Sequence, residues 1–349
     1  MRTIEIAERK IGPGQPCFII AEAGVNHNGE LKLARQLVDT AVEAGADAVK
    51  FQTFQARRLV TEKAPKADYQ LRATDSSESQ FEMLSRLELS HEDHHDLKEY
   101  CQRRGILFLS TPFDELSADF LEQLGVPAFK MGSGELTNLP FLLHVARKSK
   151  PMIVSTGMAS LGEVESAVEA IHSQGNLDLI LLHCVSNYPA DPADINLRAM
   201  DTLRCAFDLP VGYSDHTQGI EIPLAAAALG ACVIEKHITL DRHLPGPDQA
   251  VSLEPDELKT LVRGIRLVES ALGDGRKRPA ASEADTASVA RKSLVAAIDI
   301  PAGTALTGEM IAIKRPGNGL PPALRSSLIG RRTRNAIPAG ALIRLEDLG

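Results

Sequence analysis

The chain has 349 residues, 44% hydrophobic and 24% charged, with a formal net charge of −8; this is the balance of an ordinary globular protein, long enough for one large domain and a smaller one. No run of about 18 uncharged apolar residues occurs, and the N-terminal MRTIEIAERK carries charges where a secretory leader needs an apolar core, so neither membrane insertion nor export is expected and the protein is placed in the cytoplasm. Cys17, Cys101, Cys184, Cys205 and Cys232 form no CxxC pair, which argues for reduced thiols and against a disulfide framework or a zinc finger. Charge is unevenly spread: residues 288–349 hold nine Lys or Arg against four Asp or Glu, a net +5 that leaves −13 on the remainder. That basic tail has no aromatic residue to stack on a base, so docking onto the acidic body or an anionic ligand is expected rather than nucleic-acid binding.

From Cys17 to Thr239 one phrase recurs, an apolar run that closes on polar residues and is followed by an amphipathic helical stretch. The runs begin at Cys17 (CFIIAEAG), Asp47 (DAVKFQT), Ile106 (ILFLSTPF), Ala128 (AFKMGSGE), Met152 (MIVSTGM), Leu179 (LILLHCV), Val211 (VGYSDHT) and Cys232 (CVIEKHIT). Continuous apolar runs suit strands covered on both faces, and strict alternation with helices makes the strands parallel. After the first run Ala34, Leu37, Val38, Ala41 and Val42 share one helical stripe, with Gly45 as its stop. Eight such units predict a (β/α)₈ TIM barrel over residues 1–272. A doubly wound open sheet is the alternative, but no GxGxxG follows the first strand.

The connection from Phe54 to about Ser90 is long for this architecture and is read as a lid or wall of the site, with surface decoration as the alternative. Ser90 is expected to cap the helix HEDHHDLKEYCQRRG with Asp93 completing the box, which places His91, His94 and His95 on a solvent-facing stripe opposite Leu97 and Tyr100. After ELKTLVRGIRLVESALG, residues 273–287 read as a linker and 288–349 as a small β-rich module. Within the module DIPAGTALTGEMI, from Asp299, rhymes with AIPAGALIRLEDL, from Ala336, which predicts pseudo-symmetry. The loop KRPGNG between them either presents Arg315 to an anion or is an ordinary turn with solvated charges.

In a barrel of this kind the site lies at the C-terminal ends of the strands, so the closing residues form one set. They are Glu22, Asn26, His27, Lys50, Gln52, Ser110, Thr111, Lys130, Ser133, Glu135, Ser155, Thr156, His183, Ser186, Asn187, Tyr188, Ser214, Asp215, His216, Glu235, Lys236 and His237. A packed core does not need such polar density. His216 and His237 close consecutive parallel strands about 4.8 Å apart, near enough to share one divalent ion through bonds of about 2.0–2.2 Å; two satisfied core histidines are the competing reading. Lys50, Lys130 and the hydroxyls beside Gly132, Gly134 and Gly157 suit a small phosphate or carboxylate, and Glu22 and Glu135 remain for proton handling. Metal-assisted carbon–carbon bond formation on a small phosphorylated substrate is the chemistry these residues point to.

Taken as an ordered set, AEAGVNHNG, VKFQTF, FLSTPFD, FKMGSGE, STGM, LLHCVSNYP, GYSDHT, EKHITLD, PGPD and KRPGNG resemble the sialic acid synthase family across nearly the whole chain, and the C-terminal module resembles the SAF, or type III antifreeze-like, domain. The resemblance implies condensation of phosphoenolpyruvate with N-acetylmannosamine and water to N-acetylneuraminate and phosphate, or with 2,4-diacetamido-2,4,6-trideoxymannose to legionaminate. It further implies that His216 and His237 hold Mn²⁺, with Co²⁺ or Mg²⁺ as alternatives. Lys50, Thr111, Lys130, Ser133, Ser155 and Ser214 would contact phosphoenolpyruvate, while Gln52, Tyr188, Asp248 and Arg315 would contact the sugar. Glu22 would steady a cationic carbon or position water, and Glu135 would lie against the aldehyde. Ser186 stands where some members have asparagine, with Asn187 one place later, so either is a candidate contact. The resemblance also implies a homodimer in which each module caps the partner's barrel. The rivals are a non-catalytic carbohydrate-binding barrel and a heptulosonate- or octulosonate-type synthase that takes a phosphorylated sugar.

Overall fold

The apolar-run pattern passed over the first two strands: β1 (Ile4–Ile6) and β2 (Arg9–Ile11) pair as an antiparallel hairpin in the computed structural model, which describes residues 2–75 and 77–349. The eight expected runs all form strands: β3 (Phe18–Gly24), β4 (Ala48–Thr53), β5 (Leu107–Pro112), β6 (Phe129–Met131), β7 (Met152–Ser155), β8 (Leu179–Cys184), β9 (Val211–Asp215) and β10 (Val233–His237). They lie in the order β5-β4-β3-β10-β9-β8-β7-β6 with every ladder parallel, the order of a (β/α)₈ barrel. Among the described residues no ladder joins β5 to the three-residue β6, although the two strands lie side by side.

Period-two alternation divides each strand between two environments. Outward residues such as Ile19, Val49, Phe129, Val154, Leu181 and Ile234 pack under the helices, including the stripe Ala34, Leu37, Val38 and Ala41. The helix Leu31–Ala44 ends where Gly45 takes φ 80°, its N–H reaching the Ala41 and Val42 carbonyls. Inward residues Ile20, Ala48, Leu109, Ala128, Ile153, Leu182 and Val233 form a second core, closed by Ile4, Ile6 and Ile11 of the hairpin. Each of those isoleucines is at most 1% exposed, and burial of each contributes roughly 1.5–3 kcal/mol. The hairpin is thus a plug at the N-terminal end of the barrel.

The connection after β4 is a folded wall. It forms the helices Ala56–Leu59, Asp68–Ala73 and Gln80–Leu87, and Met83, Leu87 and Phe54 pack with Val25 as a satellite core. Ser90 caps the next helix, its Oγ accepting from the Asp93 N–H at 3.0 Å while its own N–H donates to Asp93 at 3.0 Å. The solvent-facing placement of all three histidines on that helix is corrected for one of them. His94 is 1% exposed because it shares a face with Leu97 and Cys101, and its imidazole bridges the Ser90 carbonyl and the Thr53 hydroxyl, each at 2.8 Å.

The chain divides into Met1–Gly273 and Asp274–Gly349. Residues 273–287, read as a linker, include the start of the helix Ala284–Ala290, which belongs to the second unit: the Gly317 N–H donates to the Ser288 carbonyl at 2.7 Å. A Cβ at Gly317 would lie 2.5 Å from the Arg291 Cβ, so the turn after Arg315 needs a glycine to lie on this helix. The unit is less β-rich than its short apolar runs suggest: among the described residues its one sheet is β11 (Ser293–Ala296) against β12 (Ile311–Lys314), and the rest is single bridges, short helices and tight turns. The sequence rhyme is structural. Ile300 and Ile337, at the same place in the two phrases, exchange reciprocal backbone bonds of 2.9 and 2.8 Å around a core of Leu294, Leu306, Ile311 and Ile343.

Candidate active site

One step beyond the inward apolar layer, the same parity turns polar. Ile20 is followed by Glu22, Ala48 by Lys50 and Gln52, Leu109 by Thr111, Ala128 by Lys130, Ile153 by Ser155, Gly212 by Ser214 and His216, and Val233 by Glu235 and His237. These side chains line a cavity of about 350 Å³ at the strand ends, together with Ser133, Cys184, Ser186 and Tyr188.

The floor of the cavity is a chain of buried charges. The Lys50 ammonium lies 2.7 Å from Glu22 and 3.8 Å from Glu235, and Lys130 lies 3.3 Å from the other oxygen of Glu235. Lys50 also donates to Thr111 at 2.9 Å, Lys130 to Ser155 at 2.7 Å, and Ser214 to Glu235 at 2.9 Å. Burial opposes all four charges. For Lys50 the two glutamates outweigh it and hold the ammonium above its ordinary range, whereas for Lys130 burial wins and the pKa falls. Glu235 sits between two ammoniums that outweigh burial and hold its carboxyl at about 2, while burial lifts Glu22 to about 7 against the pull of Lys50. The cluster therefore carries one firmly ionised carboxylate and one poised to exchange a proton near neutrality.

A second group of hydroxyls adjoins this floor. The Gly157 N–H donates to Ser133 Oγ at 3.0 Å, and a Cβ on Gly157 would collide with Ser186 Oγ and lie 2.8 Å from Ser133 Oγ. Only glycine at this strand end lets both hydroxyls converge.

His216 and His237 stand with ring centroids 5.5 Å apart, each 6% exposed. The His216 Nδ1–H donates to the Val185 carbonyl at 2.7 Å, which leaves Nε2 with a free lone pair. Burial, with His216 and Lys50 nearby, holds His237 well below the ordinary imidazole range, and its buried Nδ1 has no hydrogen-bond partner. For His216 burial is outweighed by Cys184 and the Val185 carbonyl and the pKa is raised; once unprotonated, the pair presents nitrogens that fit a divalent ion taking its other ligands from water or substrate. Among the described residues no group of three or more His, Cys, Asp or Glu is disposed to hold a metal, which leaves this pair as the metal candidate of the site.

Of the expected contacts, Glu22, Lys50, Gln52, Thr111, Lys130, Ser133, Ser155, Ser186, Tyr188, Ser214, His216 and His237 all line the cavity. Asp248 is buried at the start of the turn Gln249–Val251, within electrostatic reach of His216 and Lys50, and burial lifts its carboxyl to about 6. Glu135 departs from expectation: it is half-buried, does not line the cavity, and accepts a 2.8 Å hydrogen bond from Asn138, because the turn Ser133–Glu135 carries it past the strand end. Asn187 is exposed, whereas Ser186 faces the cavity. Arg315 is exposed on the second unit, just after β12. The strand-end polar set is also narrower than it reads. Ser110, His183, Asp215 and Lys236 have the opposite parity and serve the layer between strands and helices.

Some lining residues had no assigned role. Glu235 and Cys184 were legible in principle, since each shares parity with an inward neighbour two places away. Tyr69 and Ala67 come from the long connection, and Tyr69 stacks on Tyr188 at 4.9 Å, a meeting that no local pattern signals. Phe113 and Met158 complete an apolar rim.

Comparison with known proteins agrees with this geometry. The NeuB family model matches residues 37–277 and the SAF domain model residues 291–349. The chain is 49% identical to an N,N'-diacetyllegionaminic acid synthase of Legionella pneumophila, over 97% of this chain and 96% of the relative. It is 40% identical to an N-acetylneuraminate-9-phosphate synthase of Mus musculus, over 93% and 90%. Among solved structures, an N-acetylneuraminic acid (sialic acid) synthetase of Leptospira borgpetersenii in complex with citrate superposes with a TM-score of 0.74 at 39% identity, covering 82% of this chain and 95% of that one. With the family match spanning most of the barrel and these relatives alike over nearly their full lengths, the chain belongs to the NeuB family and carries a SAF domain at its C-terminal end.

Proposed function

We propose that this chain is a transferase that condenses phosphoenolpyruvate with an open-chain N-acetylated hexosamine and water, releasing phosphate and a sialic-acid-type keto acid. The observation that carries this reading is the floor of the cavity: two buried lysines flank Glu235 beside a ring of hydroxyls, adjacent to two imidazoles with unclaimed nitrogens. Lys50 and Lys130, with Thr111, Ser133, Ser155, Ser186 and Ser214, bind the phosphate and carboxylate of phosphoenolpyruvate and orient its methylene carbon toward the aldehyde. His216 and His237 would hold a divalent ion, Mn²⁺ in our reading with Co²⁺ or Mg²⁺ as substitutes, which when bound supplies Lewis acidity at the aldehyde oxygen. As the methylene carbon bonds to the aldehyde carbon, positive charge develops at the enol carbon. Ionised Glu22 steadies that charge and takes the proton of the water that adds there, the former aldehyde oxygen takes up a proton to become a hydroxyl, and phosphate leaves by C–O cleavage as the added hydroxyl loses its proton to form the keto group.

For the sugar, we put 2,4-diacetamido-2,4,6-trideoxymannose first, ahead of N-acetylmannosamine. The order follows the higher identity to the Legionella synthase and the apolar rim of Ala67, Tyr69, Phe113, Met158 and Tyr188, which suits acetamido methyls and a deoxygenated carbon. The N-acetylneuraminate reading keeps the support of the Leptospira structure. Phosphate release measured side by side with the two hexosamines tests the order. Turnover confined to phosphorylated sugars would support the heptulosonate-type rival, and no release with any hexosamine would return the chain to a carbohydrate-binding role. A homodimer in which the basic module of one chain serves the barrel of the other is part of the proposal; the +5 and −13 division of charge suits a module on either barrel, and the family resemblance favours the partner's. Among the described residues no helix is long and apolar enough to cross a membrane.

A further inference from the structure

We propose that Lys236, Asp215 and Thr217 form a clamp on the outer face of the barrel that sets the separation and aim of the two imidazoles, and so the affinity of the site for a divalent ion. The inference rests on the functional reading above for the nature of the ion.

Asp215 and Lys236 stand directly opposite one another on β9 and β10. Because side chains alternate, both point away from the cavity while His216 and His237, each one residue later, point into it. The Lys236 ammonium lies 2.5 Å from the Asp215 carboxylate, with the two side chains 1% and 0% exposed. The same ammonium donates to the Thr217 carbonyl. Thr217 returns its N–H and hydroxyl to Asp215 at 3.0 and 2.9 Å, and the Tyr213 hydroxyl adds a third donor at 2.9 Å. One ammonium therefore fastens the residues on both sides of His216 to the residue that precedes His237.

Stability alone does not account for such a device, since an apolar pair of similar volume would serve a core as well or better. What an apolar pair lacks is direction. His216 has a further anchor in the Val185 carbonyl, but His237 has no partner for Nδ1; the aim of its ring depends on its backbone, which pairs with Glu22 and Leu253 and which the Lys236 side chain, one residue earlier, ties across to β9. The polar groups behind metal-binding histidines act in this way, by fixing ring orientation, and their loss typically weakens metal affinity about 10–100-fold.

The test is Mn²⁺ titration of the full-length protein without substrate, with free Mn²⁺ followed by electron paramagnetic resonance, alongside thermal unfolding. Lys236→Met alone strands a buried carboxylate, so the variants are Thr217→Val, which keeps volume, and the double variant Asp215→Asn/Lys236→Met, which removes both charges. Folded variants whose Kd for Mn²⁺ rises about 10–100-fold, out of proportion to any change in Tm, bear the clamp out. Folded variants that bind Mn²⁺ as the parent does overturn the clamp and leave the functional reading intact. A parent that binds neither Mn²⁺, Co²⁺ nor Mg²⁺ overturns both.

Discussion

Glu22 and Lys50 meet at 2.7 Å with side chains 2% and 4% exposed, an ion pair almost wholly withdrawn from water. Because Lys50 is shared with Glu235, its charge does not fully offset the burial of Glu22, and that carboxyl titrates near 7 instead of in the usual carboxylate range. Ionised Glu22 is the form that accepts a proton from water, so kcat/KM rises with pH through about 7 and falls on the acid side. Glu22→Gln lowers kcat by about 100-fold or more and removes the acid limb. An acid limb that persists in this variant would assign the titration to another member of the cluster.

With a divalent ion held by His216 and His237 as proposed, chelation is expected to abolish turnover and Mn²⁺ to restore it, because two imidazoles leave coordination positions open to substrate. His216→Ala and His237→Ala are each expected to lose Mn²⁺ binding with the fold retained by circular dichroism. If both variants bind metal and turn over like the parent, the pair is a structural feature of the core.

Tyr69→Ala separates the two substrates. Tyr69 belongs to the long connection and touches the site by stacking on Tyr188 at 4.9 Å, whereas the lysines proposed to bind phosphate come from β4 and β6. Loss of that stack raises KM for the hexosamine about tenfold and leaves KM for phosphoenolpyruvate unchanged. Equal increases for both substrates would show that the connection supports the whole site rather than its sugar end.

His27 makes the barrel sensitive to acid. It is 1% exposed, and burial, assisted by nearby His94, lowers its pKa from 6.5 to about 4. The unfolded chain takes up this proton first as pH falls, so the contribution is fully present above pH 6.5 and is lost as pH falls toward 4. Its size is about 3 kcal/mol. Denaturant unfolding at neutral pH and near pH 4 reads the difference, and His27→Gln flattens it. An equally steep acid loss in the variant would place the responsible group elsewhere.

Mixing chains tests the dimer. If the protein is the proposed homodimer, Lys50→Ala/Arg315→Ala chains combined with the parent yield heterodimers. These keep about half of the parent dimer's activity if each module serves its own barrel, and almost none if it serves the partner's, since the sound barrel then receives the defective module. Activity near half would sink the exchanged arrangement.

The number and direction of the barrel strands and the strand-end location of the candidate site were legible in the sequence, because each follows from local chemistry. A run such as LILLHCV must be covered on both faces, and the amphipathic stretch after each run makes the strands parallel. Lys50, Lys130, His216 and His237 were recognisable because they close such runs, and the pairing of Ile300 with Ile337 was foreshadowed by two phrases with one rhythm. The N-terminal hairpin escaped because β1 and β2 are three residues each, too short to show a period.

Which polar residues face inward was decided by parity relative to the barrel axis, and a list of strand ends does not carry that information unless every register is fixed. Glu235 and Lys236 are neighbours in sequence, yet one completes the charged floor and the other is fastened behind the histidines. Only the tertiary structure turned Glu135 toward Asn138, buried His94 and laid Tyr69 against Tyr188. In each case the partner lies on a different element or beyond the end of a strand, where the direction of a side chain is set by packing and hydrogen bonding across the fold, and local sequence pattern has no access to those forces.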